Sequence, residues 1–281
     1  MFRLVSLQLI ALCSTIAYVM PQVNKLLKEV ETFYKKEGRH ALPWRHTRDP
    51  YKILVSEVML QQTQVGRVVP FYKNFLKEFP TPAALAKAPL SKVLEAWQGL
   101  GYNRRAKFLH QAAKIIIEKG WDGKLPGVGP YTKAAVDAFA HNKPAVFIET
   151  NIRTVFTHFY FLNKKNIDDK KILPLIETAL QKSKLEPREF YAGLMDYGSY
   201  LKSQGVKLNK QSKHYAKQSK FEGSARQLRG AMVRELLKNP ATLKQLIKNL
   251  SRSEGEIERE LERLLAEGMV TCHKTQYRVA S

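Results

Sequence analysis

Leu125-Pro126-Gly127-Val128-Gly129-Pro130-Tyr131, followed by Thr132-Lys133-Ala134-Ala135-Val136, decides how this chain is read. Two glycines around Val128 permit a positive-φ turn and a close approach that side chains would block. The run after them has the composition of a helix. Such a turn presents backbone N–H groups at a helix N-terminus, which is an anion site. Set against a nucleic-acid backbone, it positions a protein without reading sequence. Gly-x-Gly before a helix is equally an ordinary tight turn, so the reading depends on the rest of the chain. Gly127, Val128, Gly129, Thr132 and Lys133 are the first candidate phosphate contacts, and an acid follows at Glu149.

Composition favours the anion-binding reading. The 281 residues carry 47 Lys and Arg against 25 Asp and Glu, a formal net charge of +22. That balance is the footprint of a nucleic-acid binder more than of a membrane-surface protein. With 44% hydrophobic residues the chain has enough apolar material for a core divided among two or three small domains. Its two cysteines, Cys13 and Cys272, make neither a disulfide framework nor a four-thiolate cluster. A reducing, cytoplasmic setting is the simplest inference.

Residues 1–20 are mostly apolar with an arginine near the start, a pattern shared by secretory leaders and short anchors. No small-residue cleavage site is convincing, and Met20 is itself a plausible start. A mis-assigned start or a peripheral helix is preferred to export. From Gln22 onward apolar residues recur at helical spacing, as in Leu26, Leu27, Val30 and Phe33, or Val68, Phe71, Tyr72, Phe75 and Phe79, or Leu109, Ala112, Ile115 and Ile116. Residues 21–200 are therefore read as one all-α domain of many short helices, the stripes forming its core.

Residues 201–223 read as a cationic linker or loop. Lys202, Lys207, Lys210, Lys213, Lys217 and Lys220 lie there among Ser, Gln and Asn, and Lys210, Lys213 and Lys217 are taken as DNA-tracking cations rather than a merely solvated face. Residues 224–281 form a third pattern. Helices are expected at about 225–237, 243–250 and 254–267, then a hairpin through 270–273 and 276–279. Three helices and a terminal hairpin resemble a winged helix. The glutamates at 254, 256, 258, 260 and 262 make its third helix unusually acidic for a groove reader, so the module is read as a docking or auxiliary domain.

Glu57 is the other candidate for chemistry. It stands in Ser56-Glu57-Val58-Met59-Leu60-Gln61-Gln62-Thr63-Gln64-Val65, an apolar helical start followed by uncharged amides. Buried among Val58, Met59 and Leu60, its carboxyl would have a raised pKa and could carry a proton near neutral pH. The alternative is a capping acid in a first helical turn.

Leu42-Pro43-Trp44-Arg45, Ser56 to Val65, Trp97-x-Gly99-Leu100-Gly101-Tyr102, Leu125 to Gly129 and Ile148-Glu149-Thr150-Asn151 occur in an order that resembles adenine DNA glycosylases of the MutY type. These belong to the helix-hairpin-helix glycosylase superfamily, and the resemblance spans about residues 22–200. It implies a helix-hairpin-helix glycosylase fold, here with the small winged-helix-like module appended. The implied function is base-excision repair: hydrolysis of the N-glycosidic bond of adenine mispaired with guanine or 8-oxoguanine. Glu57 would protonate the flipped adenine, most simply at N7, and help to activate water. Gln61, Gln62 and Tyr102 match positions that enter the duplex, Tyr102 as an aromatic wedge. Glu149 would stabilise the oxocarbenium-like sugar as a second carboxylate, and Asn151 joins the DNA contacts. Tyr131 stands where bifunctional relatives carry a Schiff-base lysine, so a monofunctional enzyme leaving an abasic site is expected.

Departures from the family pattern are specific. The family carries Asp where this chain has Glu149, and one methylene moves a carboxylate by about an ångström, a misplacement that can cost roughly a hundredfold in rate. Four cysteines that usually follow Met195-Asp196-Tyr197-Gly198 to hold an iron–sulfur cluster are replaced by the lysine-rich loop. No cofactor and no metal are expected. The stretch from Ala113 to Leu125 is too short for the helix that normally precedes Leu-Pro-Gly-Val-Gly, so that helix is either truncated or supplied by residues 108–119. The C-terminal module is too small for a Nudix-like domain that recognises oxidised guanine. The expected partner is double-stranded DNA with a mismatched adenine, bound by a monomer in the cytoplasm at the nucleoid, with no membrane partner. The alternatives are a non-catalytic lesion- or mismatch-binding protein of the same fold, a thymine or uracil mismatch glycosylase, and a winged-helix regulator.

Overall fold

The computed structural model describes residues 2–217 and 220–280, with side chains described from Met20 onward. The sequence expectations for residues 1–19, Cys13 included, lie outside the described side chains. Thirteen α-helices and one hairpin follow in order among the described residues: α1 (Phe2–Glu37), α2 (Pro50–Leu60), α3 (Val65–Glu78), α4 (Pro82–Lys87), α5 (Leu90–Ala96), α6 (Arg104–Lys119), α7 (Pro130–His141), α8 (Thr150–Tyr160), α9 (Asp169–Lys182), α10 (Pro187–Ser203), α11 (Ala225–Lys238), α12 (Leu243–Leu250), α13 (Glu254–Ala266), β1 (Val270–His273) and β2 (Gln276–Val279). Among the described residues, no helix is long and apolar enough to cross a membrane.

Two compact units emerge, and each is discontinuous. One takes residues 1–50 and 133–216, the other residues 51–132 and 217–281. This differs from the sequential expectation of one domain over 21–200 and a separate module from 224. Local periodicity identifies helices but carries no information about which distant helices share a core.

In the first unit α10 packs on α8 and α1 over a core that includes Val23, Leu26, Val30, Ile152, Val155, Phe156, Phe190 and Leu194. The α8 contact is close enough that a Cβ on Gly198 would lie 2.3 Å from the Asn151 carbonyl oxygen. A helix-interior glycine costs about 1 kcal/mol relative to alanine, and this approach of two backbones is what offsets it. Two residues earlier, buried Asp196 accepts from Arg39 Nε at 2.7 Å, Arg39 N at 2.8 Å and Arg45 Nη2 at 3.0 Å. The Leu42-Pro43-Trp44-Arg45 motif is thus structural: a 3₁₀ turn over residues 43–45 buries Trp44 and aims Arg45 at α10.

The lysine-rich segment is more ordered than its composition suggests. α10 continues to Ser203, and a second 3₁₀ turn occupies Leu208–Gln211. Ile167 and Ser212 form an isolated bridge, Thr154 Oγ1 bonds Asn209 Oδ1 at 3.0 Å, and Gln211 Nε2 donates to the Leu162 carbonyl at 2.9 Å. The expected linker over 201–223 is therefore, up to about residue 213, a segment tied to α8 and the loop after it. Residues 218 and 219, inside that expected linker, lie outside the described residues.

In the second unit α6 packs on α4 and α5 around Leu85, Leu94, Trp97, Leu109 and Ala112. Helices α11 to α13 and the hairpin match the expected boundaries to within one residue, because caps punctuate them. Ser224 caps α11, and Thr242 with Gln245 and Ser253 with Glu256 form capping boxes. The hairpin pairs Val270 with Val279 through His273 with Gln276. An isolated antiparallel bridge from Ala241 to Tyr277 lies beside it. Two of the acids of α13 have internal uses. Glu256 closes its capping box, and buried Glu260 accepts from Arg263 at 2.6 Å and faces Arg229 at 3.6 Å.

Candidate active site and nucleic-acid interface

Glu57 is not a capping acid. It is the eighth residue of the eleven-residue helix α2, which starts at Pro50, and only 6% of it is exposed. Its neighbours along the helix, from Ile53 to Met59, are buried as well. Tyr131, the second residue of α7, donates its hydroxyl to Glu57 Oε2 at 3.1 Å. A carboxyl group in apolar surroundings with a phenol on one oxygen can hold a proton or hand it over at a defined position.

The turn before α7 is built as its sequence suggests, with one correction. Val128 N donates to the Leu125 carbonyl at 3.2 Å, and Gly127 has φ +72°. A Cβ at Gly127 would stand 2.8 Å from Phe108 Cβ, so glycine is required there twice over. Gly129 does not have a positive φ, and a Cβ there would meet nothing within 4 Å. Openness, not backbone conformation, is what Gly129 contributes. Residues 120–129 contain no helix; the turn packs through Phe108 on α6, a full sixteen-residue helix. The helix before the turn is thus the 108–119 segment within α6, and it is not truncated. Thr132 is buried, whereas Lys133 is exposed at the head of α7.

Gln61, Gln62 and Tyr102 sit in two loops joined by a residue that the sequence reading missed. Arg105, 8% exposed, donates from Nη1 to the carbonyls of Val58 at 2.8 Å, Met59 at 2.9 Å and Gln61 at 2.6 Å. From Nη2 it reaches Thr63 Oγ1 at 3.1 Å and the Gly101 carbonyl at 3.0 Å. One guanidinium thereby collects the C-terminal carbonyls of the Glu57 helix and both loops, a geometry that lysine cannot reproduce. Burial pushes its pKa down to about 10, which leaves it charged at neutral pH. A sequence signal existed: Arg105 heads the buried stripe of Leu109, Ala112 and Ile116 along α6.

Both loops contain a non-glycine residue with positive φ, Gln62 at +55° and Tyr102 at +51°. Such conformations cost of order 1 kcal/mol or more and persist where surrounding structure over-determines them. Gln62 is exposed and Tyr102 half-buried.

In the first unit, Glu149 is the N-cap of α8. Its Oε1 accepts from Asn151 N at 2.7 Å and Ile152 N at 2.9 Å, and its Oε2 from Asn151 Nδ2 at 3.2 Å. Lys202 donates to Asn151 Oδ1 at 2.7 Å, its pKa lowered by burial and partly restored by the Glu149 charge. Asn151, expected as a DNA contact, is thus engaged inside the protein on both ends of its amide. Lys213 donates to Asp168 at 3.1 Å while its side chain stays more than half exposed. Hydrogen bonds from Lys170 N and Lys213 hold Asp168 down at about 2. Lys210 and Lys217 are exposed, Lys217 in the second unit.

The family's iron–sulfur cluster does not fit this chain. The segment after α10 that would hold it contains no cysteine, and two cysteines in 281 residues cannot supply four thiolates.

Residues 55–182 match the model of the HhH-GPD superfamily base excision DNA repair proteins. The chain is 38% identical over 151 residues to an adenine DNA glycosylase of Buchnera aphidicola subsp. Baizongia pistaciae, covering 50% of this chain and 43% of that one. It is 32% identical over 183 residues to a thymine/uracil-DNA glycosylase of Methanothermobacter thermautotrophicus, covering 60% and 81%. The solved structure of a thermostable thymine-DNA glycosylase superposes with a TM-score of 0.55 at 28% identity, covering 68% of this chain and 95% of that one. The chain spans about half the length of the curated adenine DNA glycosylases it matches.

Proposed function

Because this chain belongs to the HhH-GPD superfamily of base excision DNA repair proteins, we propose that it is a monofunctional DNA glycosylase that removes adenine mispaired with guanine or 8-oxoguanine. The observation that carries the reading is the Tyr131 hydroxyl on the Glu57 carboxyl group. An enzyme acting on a base must first extrude it from the duplex. Tyr102, Gln61 and Gln62 enter the stack, while Gly127 to Gly129 and Lys133 hold the phosphate backbone; Thr132, buried, makes no such contact with its side chain. Glu57 gives a proton to N7 of the extruded adenine. As the bond from C1′ to N9 breaks, its electron pair leaves with the base, and Glu149 stabilises the cationic sugar. Water, deprotonated by Glu57, adds at C1′ and leaves an abasic site. Tyr131 offers no amine, so no Schiff base forms and no strand is cut. The protein works as a monomer on duplex DNA in the cytoplasm, without a cofactor.

Single-turnover cleavage of a labelled duplex with adenine opposite 8-oxoguanine, followed by hot alkali, tests this. Wild type is expected to give alkali-dependent breaks, with Glu57→Gln and Glu149→Gln reduced at least a hundredfold. Absence of breaks with salt-sensitive binding retained would favour a lesion binder. A second reading, thymine or uracil removal, draws support from the 81% coverage of the thymine/uracil-DNA glycosylase. Duplexes with thymine or uracil opposite guanine in the same assay separate the two.

A further inference from the structure

Two guanidinium groups from distant parts of the chain lie against the Tyr102 ring. The Arg105 Cζ lies 5.3 Å from the ring centroid, and so does that of Arg226. Arg226 also donates from Nη1 to the Tyr102 hydroxyl. A planar cation over an aromatic face is attracted by the ring quadrupole, and the hydrogen bond adds an angular constraint. Arg226 is in the first turn of α11, whose N-cap Ser224 bonds Gln227 N. That helix is tied in turn to the glycosylase helices of the same unit. α11 packs against α5, Lys107 of α6 donates to the Glu267 carbonyl, and Arg229 of α11 pairs with the Glu267 side chain.

Arg105 fixes the loops at their base, as described above. At the tip of Tyr102 it is Arg226 that makes a hydrogen bond. We infer that Arg226 is a positioning residue for duplex entry: the C-terminal module sets the ring plane and hydroxyl direction of Tyr102, and so acts on base extrusion without reading bases itself. This rests on Tyr102 being the wedge. It accounts for a winged-helix-like module whose third helix carries acids, because a module that works through Tyr102 needs no basic groove-reading helix.

The test uses the full chain and a duplex carrying 2-aminopurine in place of the mispaired adenine, whose fluorescence rises when the base leaves the stack. Wild type, Arg226→Ala, Arg226→Lys, Tyr102→Ala and the Arg226→Ala/Tyr102→Ala pair are compared at saturating protein. Expected is a fall in the fluorescence gain of about threefold or more for Arg226→Ala, an intermediate value for Arg226→Lys, and no further fall when Arg226→Ala is added to Tyr102→Ala. The thermal midpoint of Arg226→Ala stays at the wild-type value, which a merely structural role would not allow. A gain equal to or above wild type in Arg226→Ala, or an equal loss with and without Tyr102, overturns the inference. Wild type without any gain overturns it together with the wedge reading. A normal gain, with no adenine released from the companion duplex that carries the mispaired adenine itself, removes only the adenine-excision reading.

Discussion

Tyr131 Oη and Glu57 Oε2 are 3.1 Å apart, although 74 residues separate them in sequence. The contact places a hydrogen-bond donor that offers no amine against the proposed acid. Tyr131→Phe is expected to lower single-turnover excision about tenfold, the worth of one hydrogen bond to a carboxylate. A rate equal to wild type would remove Tyr131 from the mechanism. Tyr131→Lys, assayed without alkali, checks whether an amine at this position produces strand breaks; none are expected without further changes that activate it.

Gly127 and Gly129 separate fold from binding. Gly127→Ala brings a Cβ to 2.8 Å from Phe108 at φ +72°, and should cost about 1–2 kcal/mol in urea denaturation. Gly129→Ala meets nothing within 4 Å. Its denaturation midpoint should equal that of wild type while affinity for matched and mismatched duplexes falls by the same factor. Unequal factors would show that the turn contributes to specificity.

Asp196 carries the first unit's buried ion-pair knot. Asp196→Asn leaves Arg45 beside a neutral amide in a buried setting and should cost about 3 kcal/mol. The measurement is equilibrium unfolding in urea, and a change below 1 kcal/mol would mean that Arg39 and Arg45 find water or other acceptors.

His110 gives stability an acid limb. Burial, and then the Lys114 ammonium, hold its pKa below 6.5 in the fold, against hydrogen bonds to the backbone at Ala88 and Ala86. The unfolded chain takes up this proton as pH falls through 6.5, and the folded chain does so only at lower pH. Stability is therefore lost on going down through that window and is level above it. His110→Gln should show a smaller fall in thermal midpoint between pH 7.5 and pH 5 than wild type. Equal falls would assign the acid limb to other groups.

What could be read from the sequence divides along physical lines. The signals of α11 to α13 are local, so their bounds were legible within the segment itself, and the Gly127 turn was legible from its own residues. Glu57 was recognised as an acid among apolar neighbours, but its place late in α2 depends on a start at Pro50, seven residues upstream. Composition changes at Tyr200, yet α10 runs on to Ser203, because Lys202 lies along Asn151, a tertiary contact. Arg105 escaped for the same reason: its carbonyl partners at 58, 59, 61 and 101 converge only in the fold. Apolar periodicity has no symbol for a buried cation.

The interleaving of the two units bears on how the chain reaches its native state. Residues 51–132 are finished only by residues 217–281, and residues 1–50 only by 133–216. Completing each unit therefore needs loop closures across many tens of residues, the kind of topology that slows folding. During synthesis the face of α5 that receives α11 has to wait, uncovered, while about 130 further residues emerge, at a cost of roughly ten seconds. A shortened chain lacking α11 to α13 would then be an unfinished half rather than a trimmed enzyme, with chaperone dependence as its first symptom.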